Sequence, residues 1–133
     1  TEAWATCCEV LSQLNETVPE FVDIWSMGAT MKQTGERLGR ISLAGLRVQE
    51  MDSVFRNSLR FYQLLMFIAF VRDPSFCVFI ACRMIELSLD HGLSKDSLIG
   101  FIQYAMISCY QSKEVHCIRG AHRIAGDTIL LLK

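Results

Sequence analysis

Apolar positions recur at helical spacing along almost the whole chain, and no segment alternates with period two over a strand's length. Trp4, Cys7, Cys8, Leu11 and Leu14 share one helical face while Glu2, Thr6, Glu9 and Gln13 share the other, which predicts an amphipathic helix over 2–14. Thr17-Val18-Pro19-Glu20 has the form of a capping box with proline in the first turn. It predicts a second helix over 18–34, on which Phe21, Ile24, Trp25, Gly28 and Met31 align and which Gly35 and Gly39 stop. The pattern then weakens, so 39–50 is expected to be a linker with one short helical turn around 42–46.

Two apolar blocks follow, 61–71 and 76–82, separated by Arg72-Asp73-Pro74. A membrane-spanning helix needs about 20 uninterrupted apolar residues, and the break forbids one. Asp73 is a natural N-cap and Pro74 suits a first helical turn, so a third helix over 51–71 ends here and a fourth, over 74–90, begins. The third helix is amphipathic in its first half, with Asp52, Arg56, Arg60 and Gln63 opposite Val54, Phe55, Leu59, Tyr62 and Leu65. Its second half is apolar all round, which predicts a central, covered position. Polarity in the fourth helix shrinks to Arg83, Glu86 and Asp90, and His91-Gly92 closes it, with His91 expected to bond the open carbonyls of the last turn. Ser94 is the expected cap of a fifth helix over 95–110, and a turn at Gln111-Ser112 leads to a sixth over 113–132. Loops this short join antiparallel neighbours. The expected fold is all-α, with about six helices in antiparallel hairpins stacked as an α-solenoid segment spanning 1–133.

Composition sharpens this. A chain of 133 residues suits one domain, yet 51% hydrophobic against 20% charged residues is rich for a free-standing one. Thr1 is not an initiator residue and Ile129-Leu130-Leu131-Leu132 runs almost to the end, so a segment of a larger protein is expected. The net charge is −1 and basic residues form no stripe, which argues against a nucleic-acid partner. Cys7, Cys8, Cys77, Cys82, Cys109 and Cys117 all fall in expected helices without the spacing of a disulfide framework. Buried free thiols in a reducing cytoplasm are expected, and the first helix lacks the basic and apolar regions of a signal peptide.

Reaction chemistry is thinly represented. His91, His116 and His122 make no His-x-x-x-His pair and no Cys-x-x-Cys exists, so no metal site is expected. No Ser or Cys has an evident base, Glu86 and Asp90 suit a charged rim, and the glycines form no phosphate loop. No catalytic residue and no cofactor are expected. Gly100, Ala105 and Ser108, with Gly120, Ala121, Ala125 and Gly126, would let the last two helices approach closely. His116, Arg119, Arg123 and Asp127 lie along one side of the sixth helix, a face suited to a partner or to water. A second reading is a sensor whose cavity between helices three, four and five, lined by Phe67, Phe70, Phe79 and Phe101, takes an apolar small molecule.

The block Met84-x-x-Leu87-Ser88-Leu89-x-His91-Gly92-x-Ser94-x-x-Ser97, followed by Gly100-Phe101-x-x-Tyr104-Ala105, resembles the helical-repeat region downstream of the AAA-type ATPase module in large multidomain signalling proteins. Those proteins often carry kinase-like domains as well. The resemblance implies a tetratricopeptide-like solenoid without catalytic residues, acting as a scaffold between modules. Its implied partners are adjoining repeats and domains of the same protein, or another protein.

Overall fold

Asp73 and Pro74 organise the centre of the molecule. In the computed structural model, which describes residues 2–40 and 52–111, a helix over Ser53–Arg72 ends where Asp73 N–H donates to Ala69 O at 2.8 Å. The Asp73 side chain then accepts from Ser75 N–H at 3.1 Å, and the next helix runs over Ser75–His91. Two residues suffice to reverse the chain. We number the helices α1 (Glu2–Gln13), α2 (Ile24–Gly39), α3 (Ser53–Arg72), α4 (Ser75–His91) and α5 (Leu98–Gln111), with a single 3-10 turn at Lys95–Ser97 ahead of α5. The described residues are therefore all-helical, with five α-helices. The expected sixth helix and the 41–50 part of the expected linker lie outside them.

α4 is the hub. α2, α3 and α5 all pack against it, while α1 packs on α3. Its buried residues run from Phe76 to Ser88 and include Ile80, Met84, Ile85 and Leu87 with at most 1% exposure. Each such side chain contributes about 1.5–3 kcal/mol on burial. The approach of α5 is close because Gly100 has no side chain: a Cβ there would stand 2.7 Å from Met84 Cβ. At the turn before α5, Asp96 N–H donates to Ser94 Oγ (3.2 Å) and Ser94 N–H donates to Ser97 Oγ (3.1 Å). The Ser94 cap thus opens the 3-10 turn that feeds α5.

The structure corrects the expected second helix at both ends. It begins at Ile24 rather than near residue 18, because α1 ends in a tight reversal that commits the following residues elsewhere. Asn15 adopts φ 66°, its N–H donates to Ser12 O, and Glu16 N–H donates back to Leu11 O, the two bonds of a Schellman closure. Val18 and Val22 then pack on the core in irregular backbone, and Phe21, expected on the buried face, is 78% exposed. Gly35 does not stop the helix. It lies inside α2 where the Tyr104 hydroxyl, which donates to Met31 O at 3.0 Å, comes within 2.7 Å of where a Cβ would stand. Met27, Met31, Thr34 and Leu38 form the packed face instead.

Candidate interaction surface

Every residue of the second half of α3 other than Gln63 and Arg72 is apolar, and among the described residues no helix packs over half of its circumference. Tyr62, Leu65, Met66 and Ala69 are buried against α4 and α1. On the other side Leu64 is 50% exposed, Phe67 and Phe70 71%, and Val71 86%. The spacing of 64, 67 and 71, with 70 beside them, makes one contiguous stripe. The expectation that this half is central is overturned: α1 and α4 cover one side of α3, and no described element covers the other. The amphipathic pattern of the first half continues, in the sense that the same face turns from polar (Arg60, Gln63) to apolar. Taking ~200 Å² for a whole phenylalanine, the stripe offers roughly 500 Å², toward the upper end of what monomers expose.

Polar groups bound the stripe. Arg60 Nε donates to Asp96 Oδ2 at 3.4 Å and Gln63 Nε2 donates to Asp96 O at 3.2 Å, fastening the turn before α5 to the upstream edge.

The polar stripe of α4 has a structural use. Glu16, 6% exposed, accepts from Arg83 through both oxygens (2.7 and 2.9 Å) and from the Tyr62 hydroxyl at 2.7 Å. Burial pushes this carboxyl upward, but the hydrogen bonds from Arg83 and Tyr62 outweigh it and hold the pKa below the ordinary carboxylate range. Burial and the same Glu16 push the Tyr62 phenol well up. Arg37 of α2 reaches both Glu86 and Asp90, and Thr34 Oγ1 donates to Glu86. Hydrogen bonding to Asp90 and Glu86 raises the Arg37 pKa. Glu86 and Asp90 are thus an ion-paired rim binding α2 to α4.

His91 differs from expectation. Gly92 N–H closes the helix onto Ser88 O, and the imidazole stacks on Phe55 with centroids 3.5 Å apart and planes 9° apart. The four phenylalanines of the sensor reading do not converge: Phe101 is wholly buried, Phe79 is half-buried, and Phe67 and Phe70 face outward. His116, Arg119, Arg123 and Asp127 lie outside the described residues. Among the thiols, Cys7, Cys77 and Cys82 are buried, Cys8 is half-buried and Cys109 is exposed, against the expectation of uniform burial. Burial pushes the Cys82 thiol up to about 11. Among the described residues no His, Cys, Asp and Glu cluster could hold a metal, and no helix is long and apolar enough to cross a membrane. Sequence reasoning missed the α3 face because apolar content alone does not say which side a neighbour takes. It missed the Glu16 clamp because its ends are far apart in sequence. Comparison with protein-family models, curated proteins and solved structures finds no match.

Proposed function

We propose that this chain is a non-catalytic helical scaffold, a tetratricopeptide-like stack whose work is to hold neighbouring modules of a cytoplasmic signalling protein in a fixed relation. The observation that carries this reading is the uncovered stripe of Leu64, Phe67, Phe70 and Val71. Its occupant is an apolar helix face from an adjoining repeat of the same polypeptide. A stripe of roughly 500 Å² is small beside the ~800 Å² per partner of a separate stable complex, but it suits a contact between linked modules. A tether replaces the association entropy that free partners lose. The packing of α1 on α3 and of α2 on α4, around the α3–α4 hairpin, supports a stacked arrangement of helices. The two carboxylates nearest to an acid–base pair, Glu86 and Asp90, are occupied by Arg37, which favours structure over chemistry. The five cysteines among the described residues are all free thiols, which fits a reducing compartment.

Through the clamps, displacement of one hairpin would move the next as a body rather than dissipate in loops. The test is a photo-crosslinking residue at position 67 in the full-length polypeptide, with the product mapped by mass spectrometry. Crosslinks to a helical segment of the same polypeptide are expected. Capture only by solvent, or by a different protein, would overturn the assigned occupant.

A further inference from the structure

Beside the α3–α4 turn, on the opposite side of α3 from the exposed stripe, α1 and the connector ahead of α2 enclose a cleft of about 130 Å³. Liquid water takes about 30 Å³ per molecule, so the space suits a compact group and not an extended ligand. Its walls combine aromatic rings with acids. Trp4 and Phe76 meet edge to face, with centroids 4.9 Å apart and planes at 75°, so the two rings form a corner. Phe21, 78% exposed on the connector, is a third aromatic at the rim. Glu20 and Asp73 face the same space, and one cation, Arg72, lies with its guanidinium carbon 5.5 Å from the Trp4 ring centroid. Two carboxylates against one guanidinium leave the cleft net negative.

We propose that this cleft binds a quaternary ammonium group, seated among the Trp4, Phe76 and Phe21 rings with Glu20 and Asp73 supplying the compensating charge. The indole face already attracts a cation, since Arg72 stands within the ~6 Å range of that interaction. A guanidinium gives up hydrogen bonds to water when it enters such a corner. A quaternary ammonium has no N–H to lose, and its positive charge is spread over alkyl groups that pack on rings. Arg72 is the natural occupant that the ligand displaces, which fixes the sign of its effect: removing it strengthens binding. The site is independent of the scaffold reading, because it uses none of the residues of the exposed stripe.

The experiment is a titration of the whole chain with choline, read by Trp4 fluorescence in a Trp25→Phe background. Saturable quenching is expected. The neutral isostere of choline, with a tert-butyl group in place of trimethylammonium, should bind about tenfold more weakly. Glu20→Gln should weaken choline severalfold without changing the isostere, and Arg72→Gln should tighten it severalfold. A trimethyl-lysine peptide titrated in parallel distinguishes the sources of the group. Preference for the peptide assigns the ligand to a protein side chain, and preference for choline to a free small molecule. No saturable quenching by either, equal affinity for choline and its isostere, or weaker choline binding to Arg72→Gln would each overturn the proposal.

Discussion

The second half of α3 and the body of α4 are nearly matched in apolar character, yet they live in opposite environments. α4 is enclosed by α2, α3 and α5, so Ile80, Met84, Ile85 and Leu87 are buried on every side. Among the described residues α3 has α4 and α1 on one side and the turn before α5 at its upstream edge, and Phe67, Phe70 and Val71 stand mostly in solvent. Apolar composition therefore states a capacity for burial, and the number of neighbours decides whether it is used. For α4 the capacity is used within the chain; for α3, under the proposed function, it is used between modules.

The strongest way to break this contrast is to truncate one residue from each helix. Ile80→Ala should cost about 2–5 kcal/mol, since it opens a cavity under three packed helices. Phe67→Ser should change the stability of the chain by no more than about 0.5 kcal/mol. Urea unfolding of the two variants measures both, and similar losses would mean that the stripe is covered within the chain itself.

The next effect concerns the clamp that ties α4 to the α1–α2 connector. Arg83→Met leaves the buried Glu16 without its cation and should cost about 2–3 kcal/mol, less than for a fully buried pair because Arg83 retains 38% exposure. The pH dependence has a definite sign. Glu16 is held below its unfolded pKa, so its contribution is complete above the ordinary carboxylate range and is lost as pH falls through the folded value. Stability measured by urea titration from neutral to acid pH should therefore drop less in Glu16→Gln than in the parent chain.

The smallest contrast sets two helical glycines against each other. Gly100→Ala drives a methyl group into Met84 on α4 and should cost about 1–3 kcal/mol. Gly28→Ala in α2 meets nothing within 4 Å and should gain about 0.5–1 kcal/mol from helix propensity. Thermal unfolding gives the two shifts with opposite signs.

What the sequence made legible follows the range of the interaction responsible. The α3–α4 break was readable because Asp73 and Pro74 act on their own neighbours, and so was the Ser94 cap. The start of α2 was not. A local capping signal at Thr17 lost to a turn at Asn15 and to the pull of Arg83, which lies 67 residues beyond Glu16. Gly35 does not stop α2, and the group that comes close to it, the Tyr104 hydroxyl, belongs to another helix. The polar stripe of α4 was visible as a rim, but its partners Glu16 and Arg37 were not. Of the candidate surfaces, the stripe on α3 was hidden by the usual equation of apolar with buried, and the ring corner by the distance between Trp4 and Phe76 in the chain.

The two-residue connection between α3 and α4 also bears on the order of events in folding. Helices joined this closely search little space before they meet, whereas the Glu16–Arg83 bonds must close a loop of 67 residues. The α3–α4 hairpin is thus the expected nucleus onto which α1 and its connector dock late. Removing the clamp should accordingly speed unfolding far more than it slows refolding.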